Sequence, residues 1–241
     1  SHGVLEVMRA AGVPAARLAL VPSGVELPAA GAREATGAAD LRALLGVPAD
    51  APVVGTVAAL APHKDHATLL RAAARVVAVR RDVHFAWVGE GGCRAALERQ
   101  RAELGLERHV HLLGFRPDAL GLLAQFTVFA LSSHLEGLCT SLLDAQSLGV
   151  PVVATAVGGV PDVVSDGRTG RLVPGRDAAA LAAVLLEALE RPEERRRWAE
   201  AARVSVRDFD VRHMVERSLA EYGRVLRERR GTPEPAPPGE A

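Results

Sequence analysis

Short runs of apolar, β-branched residues recur along this chain, separated by stretches of helical periodicity, and no other feature limits the fold as strongly. Strands buried on both faces of a parallel sheet read as continuous Val-rich runs, and each needs a crossover, usually a helix, to reach its neighbour. The pattern predicts strands over 18–21, 52–58, 83–89, 110–114, 127–131, 151–155 and 171–173. It predicts helices over 65–80, 92–104, 118–125, 140–149 and 177–190, and a last one over 211–230. The fold class is therefore α/β, a Rossmann-like doubly wound parallel sheet. Hydrophobic residues form 49% of the 241-residue chain but aromatics only 3%, so the core must be built from Leu, Val and Ala. Those residues suit helices packed on a sheet.

Residues 40–210 form the main domain on this reading, preceded by an Ala- and Gly-rich linker over 28–39. Residues 1–27 read as the end of a preceding domain and the joint after it, with 1–11 as that domain's closing helix. A C-terminal helix over 211–230 is followed by 231–241, where four prolines in eleven residues predict disorder. The chain starts with Ser1 rather than Met, which suggests that something upstream has been removed. Lys plus Arg and Asp plus Glu both total 29, so no net field draws nucleic acid or an anionic membrane, and neither is expected as a partner. Cys93 and Cys139 form no CxxC pair, and no apolar run reaches the roughly 18 residues of a membrane span. A soluble, cytoplasmic protein is expected.

In such a sheet, ligands collect at the carboxyl ends of the strands, so the strand-to-helix loops are where chemistry belongs. Lys64 ends the loop after the 52–58 strand and precedes a helix, where its charge opposes the helix dipole unless an anion joins them. Phosphate is one such anion; the alternative is a solvated surface lysine. Either way, truncating Lys64 is expected to cost little stability. After the 127–131 strand, Gly137 permits a tight turn, and Thr140 and Ser141 fall at a helix start, where hydroxyls and free N–H groups hold phosphate oxygens. If that helix begins soon after Gly137, Glu136 and Asp144 face one crevice as acceptors for sugar hydroxyls. Otherwise Glu136 is a helix-entry carboxylate and Asp144 a surface residue. Gly158 and Gly159 expose backbone N–H groups after the 151–155 strand, or form an ordinary turn.

Other patterns carry less. Asp208-Phe209-Asp210 spells DxD, but Asp210 is better placed to cap the last helix. His63 with His66, and His109 with His111, lack a third ligand, so no metal site is expected. The glycines of Gly89-Glu90-Gly91-Gly92 sit in a later strand-to-helix unit than a dinucleotide fingerprint would.

The order and spacing of these loops resemble one family. Val21-Pro22-Ser23-Gly24-Val25 is similar to its "vPNGvd" joint, Ala58 to Lys64 to "GRLxxxKG", and Val88-Gly89-Glu90-Gly91 to "vGdGp". Leu112-Leu113-Gly114 matches "fLG". Glu136 and Asp144 fall on two glutamates separated by seven residues. The segments 149–155, 158–162 and 166–170 match "GxPVVat", "GGxPE" and "dGxtG". The chain thus resembles the C-terminal, donor-binding domain of the retaining GT-B glycosyltransferases, family 4-like, also called glycosyl transferases group 1. The likeness runs over nearly the whole chain.

That resemblance implies transfer of a hexose from a nucleotide diphosphate-sugar with retention of configuration and no metal or other cofactor. It assigns Lys64 to the diphosphate and Glu136 to the donor sugar as catalytic residues, and Asp144 to the ribose. Gly137, Thr140, Ser141, Gly89, Gly114, Phe115, Gly158 and Gly159 complete the donor-binding set. The expected partners are the sugar nucleotide and an absent N-terminal acceptor domain, through which alone any peripheral membrane contact would come. Ala59 stands where the family has an arginine, Asp144 and Asp162 where it has glutamates, and Thr127 where it has an aspartate. Two other readings stand beside it: a degenerate module that binds nucleotide or a partner protein without catalysis, which the missing arginine and the absent first half keep open, and a GT-B-like sugar-nucleotide epimerase, which shares the fold.

Overall fold

The computed structural model describes residues 1–27 and 38–231. Its strands are β1 Val53–Val57, β2 His84–Val88, β3 Val110–Gly114, β4 Val128–Leu131, β5 Val152–Thr155 and β6 Arg171–Val173. Its α-helices are α1 His2–Ala10, α2 Leu41–Leu45, α3 His66–Val79, α4 Arg94–Glu103, α5 Ala119–Leu123, α6 Thr140–Ser147, α7 Val160–Val163, α8 Ala178–Glu190, α9 Pro192–Ser205 and α10 Val211–Gly231. All strand pairs are parallel, in the order β3-β2-β1-β4-β5-β6. Alternate side chains feed two cores. Val53, Val88, Phe129, Leu131 and Val152 pack with α2, α5 and α6, while Val54, Phe85, Trp87, Val128 and Val153 pack with α3, α4 and α8. Each large aliphatic side chain fully buried this way contributes about 1.5 to 3 kcal/mol.

The strand order decides where a ligand goes. From β1 the chain proceeds outward to β2 and β3, then returns to lay β4 on the other side of β1. Because α3 leaves β1 toward one face and α6 leaves β4 toward the other, a crevice opens at their carboxyl ends.

Some expectations change. Residues 18–21 form no strand; the extended backbone there finds no sheet edge, and nearby Val25 makes only a single parallel bridge to Asp210. Helix α9 was not expected. Its surface is mostly charged, and only Trp198, Ala199 and Ala202 turn inward, too few for a clear periodic signal. Residues 28–37 of the expected linker and 232–241 of the expected disordered tail lie outside the described residues. Asp210 does cap α10, accepting the N–H of Arg212 at 2.9 Å and pairing with its guanidinium, so the DxD triplet is structural.

Candidate functional site

The loops after β1 and β4 meet across the crevice. The tight turn Pro62–Lys64 is fastened to the β4 loop by the His134 N–H, which donates to the His63 carbonyl at 2.9 Å. The Ser132 hydroxyl donates to the Lys64 carbonyl at 2.9 Å. Lys64 Nζ then reaches Glu136 Oε1 at 2.6 Å, and the Ser133 hydroxyl donates to the same oxygen at 2.5 Å. The side chains are only 15% and 6% exposed, so this is a sheltered pair rather than a surface contact. The solvated-lysine alternative is thereby excluded. Asp65 caps α3, accepting the Thr68 N–H at 3.2 Å, so the dipole there already has its carboxylate. The anion that joins Lys64 in this structure is Glu136.

Gly158 and Gly159, after β5, support Glu136 from below. Gly158 has φ +54°, and a Cβ there would sit 1.8 Å from the Glu136 carbonyl oxygen, so only glycine fits. The Gly159 N–H donates to that carbonyl at 3.3 Å, and the Thr155 hydroxyl donates to the Ser133 carbonyl at 2.6 Å. Helix α1 lies against this loop: the His2 N–H donates to Asp162 Oδ2 at 2.6 Å, and a Cβ on Gly3 would meet the Gly158 backbone at 2.6 Å. On the other side of β1, the Gly89 N–H donates to the Gly114 carbonyl at 2.8 Å. A Cβ on Gly89 would lie 2.0 Å from the Ala58 carbonyl oxygen. Phe115, next in the chain after Gly114, is 77% exposed.

Helix α6 starts at Thr140, with Cys139 at the capping position and no side chain capping it. Glu136 therefore lies in the loop and not at the helix entry, and the helical spacing that would align it with Asp144 does not apply. Thr140 is exposed; the Ser141 hydroxyl lies 3.3 Å from Cys139 Sγ. The Cys139 thiol pKa is pushed up by burial and by the Glu136 charge. Asp144 is half-buried; its carbonyl accepts from the Ser147 hydroxyl at 2.8 Å, but its carboxylate has no hydrogen-bond or ion-pair partner among the described residues. Burial pushes its pKa up to about 6. The two acids thus stand in different states, Glu136 held between a cation and a hydroxyl, Asp144 unsatisfied.

Sequence reasoning missed the supports Ser132, Ser133 and Thr155. Their signal was available, since hydroxyl residues ending buried apolar runs must spend their hydrogen bonds inside the fold. It also missed the seating of α1, for which a glycine inside a helix, Gly3, was the only hint. The histidines go elsewhere. His66 is buried against Trp87, with ring centroids 5.1 Å apart, and burial with the nearby Lys64 charge lowers its pKa to about 4. His109 stacks on His84. Among the described residues, no three His, Cys, Asp or Glu side chains are grouped to hold a metal.

The family model of glycosyl transferases group 1 matches residues 39–205. The chain belongs to that family. Among its relatives is the D-inositol 3-phosphate glycosyltransferase of Mycolicibacterium paratuberculosis, 35% identical over 219 residues that cover 88% of this chain and 48% of that protein. Another is the GDP-mannose-dependent monoacylated alpha-(1-6)-phosphatidylinositol monomannoside mannosyltransferase of Corynebacterium glutamicum, 31% identical over 77% of this chain and 50% of that protein. Among solved structures, Anabaena HepE in complex with UDP and glucose superposes with a TM-score of 0.79 at 27% identity, covering 90% of this chain and 59% of that one. This group 1 chain spans about half the length of the curated relatives it matches. Its sheet is the Rossmann-like C-terminal half of the GT-B architecture. Neither the epimerase nor the degenerate module is favoured by these relatives.

Proposed function

We propose that this chain is the donor-binding half of a retaining hexosyltransferase that takes its sugar from a nucleotide diphosphate-sugar, in the cytoplasm and with no cofactor beyond the donor. The observation that carries this reading is the Lys64–Glu136 pair spanning β1 and β4 at the switch of strand order. An ammonium has three N–H donors, and Glu136 engages one, leaving two for a diphosphate. As the glycosidic bond breaks, negative charge builds on the diphosphate oxygens, so a fixed cation and an uncapped helix start at Thr140 and Ser141 lower the barrier. Glu136, whose other oxygen is not taken by Lys64 or Ser133, accepts from a hydroxyl of the donor sugar. The Asp144 carboxylate, which has no partner among the described residues, accepts from the ribose. Gly89, Gly114 and Phe115 border the base, and Gly137, Gly158 and Gly159 border the sugar.

The acceptor, on this proposal, is held by a second domain that closes over the crevice, excludes water and supplies the proximity contribution to rate. Relatives about twice as long support it. A thermal-shift series with UDP, GDP, ADP and their sugars tests donor binding, since a ligand that binds only the folded state raises its stability with concentration. At least one nucleoside diphosphate should raise Tm; no response to any would refute the reading. In a protein carrying both halves, the product's anomeric configuration, read by NMR, tests retention. Robust transfer by the 241 residues alone would refute the need for the second domain.

A further inference from the structure

A cavity of about 720 Å³ opens at the opposite end of the sheet, where β1, β4 and β5 begin. It takes no part in the site above, which lies at the strands' carboxyl ends. Three arginines from two stretches of chain line it, Arg42 of α2 with Arg195 and Arg196 of α9, and among the described residues no Asp or Glu does. Two of them are fastened in place. Arg42 donates through Nε to the Ala51 carbonyl at 3.2 Å and through Nη1 to the Gln125 carbonyl at 2.9 Å. Arg195 Nη1 donates to the carbonyls of Ala188 and Leu189 at 3.0 and 3.1 Å, which pins it to the end of α8. Neither makes an ion pair among the described residues. Arg196 does, with exposed Glu193 at 2.9 Å.

The arrangement is costly as it stands. Guanidinium groups held by carbonyls keep their full charge, and among the described residues the half-buried Arg42 and Arg195 have no carboxylate as counterion in the cavity wall. Burial and the neighbouring Arg196 charge both lower the Arg195 pKa, the direction that crowding of like charges gives. A fourth arginine, Arg203, lays its stem over Gly149, another lining residue, so the basic face continues along α9. The rest of the wall includes Pro151 and Pro192. The volume falls within the roughly 300 to 1,000 Å³ of small-molecule sites.

We propose that this cavity is a second ligand site that takes a phosphate-bearing small molecule, its anion among Arg42, Arg195 and Arg196 and its organic part against Pro151 and Pro192. Guanidinium forks match phosphate oxygens in pairs, and pre-anchored arginines lose little entropy on binding. The donor crevice and this site lie at opposite ends of the strands and share no residue.

Calorimetric titration of the 241-residue chain at fixed ionic strength, with inorganic phosphate and with glucose 6-phosphate, tests it. Saturable binding is expected, unchanged by Lys64→Ala. Arg196→Glu, at an exposed position that holds no carbonyl, should weaken binding by at least about ten-fold, as should Arg195→Gln. Tighter binding of glucose 6-phosphate than of inorganic phosphate supports an organic phosphate as the occupant; equal binding supports free phosphate. Absence of binding, loss in Lys64→Ala, or unchanged affinity in Arg196→Glu would each overturn the proposal. Failure of UDP to bind would count only against the donor-site reading.

Discussion

Replacing Lys64 by alanine should lower folding stability as well as affinity for a diphosphate. A loop lysine at a helix entry is expected from sequence to be dispensable for folding, and the structure reverses that expectation. Glu136 is 6% exposed at its side chain, and Lys64→Ala leaves its charge with only the Ser133 hydroxyl among the described residues. Breaking a buried pair by removing one partner costs about 3 to 5 kcal/mol. Here Lys64 is 15% exposed, so water enters the space it vacates, and Ser133 remains; about 2 to 3 kcal/mol is the corresponding expectation. Glu136→Gln removes the charge but keeps the shape, so Lys64→Ala in that background should cost about 1 to 2 kcal/mol less than in the wild type. Urea unfolding of the four proteins of this cycle, with m held constant, measures the coupling. A coupling below about 0.5 kcal/mol would show that the two side chains do not meet in solution, and the site's central observation would fall with it.

Other outcomes follow from the same geometry. Measured on folded protein, Lys64→Ala should weaken UDP or GDP binding by about 1.5 to 3 kcal/mol, and equal affinity would return Lys64 to a structural role. Asp144→Ala should weaken free nucleotide, whereas Glu136→Ala should spare it and reduce turnover in a two-domain enzyme; loss of plain UDP or GDP binding in Glu136→Ala would refute the assignment. Asp144 has a folded pKa of about 6 against an ordinary 3.8, so it stabilises the fold when protonated and that contribution is lost as pH rises through about 6. His66 and His111, both lowered from 6.5 to about 4, act in the opposite sense over the same window, so the difference between variant and wild type is the quantity to read. The Tm of Asp144→Asn should gain on the wild type between pH about 4 and about 7, and a constant gap would refute the burial argument. Gly158→Ala forces a side chain into φ +54° and onto the Glu136 carbonyl, so it should lose more than the roughly 1 to 2 kcal/mol of left-handed strain, along with sugar-nucleotide binding; an unchanged Tm would contradict the packing.

Strands β4 and β5 are legible in the sequence because a strand buried on both faces has to be a largely apolar run, whatever its neighbours are. The loop motifs are legible for a related reason: glycines such as Gly89 and Gly158 stand where backbone meets backbone, and no other residue leaves room. Local pattern does not reveal pairing. Residues 18–21 have strand-like composition and no edge to join, while the charged surface of α9 conceals a helix with few inward residues. The Lys64–Glu136 contact joins side chains 72 positions apart and exists because the chain returns to lay β4 beside β1. The same return puts Arg42 in one cavity with Arg195 and Arg196. Apolar periodicity is a property of each segment alone, but a charge's partner, its exposure and its pKa depend on which segments the fold brings together, and that is settled only when the sheet closes around its core.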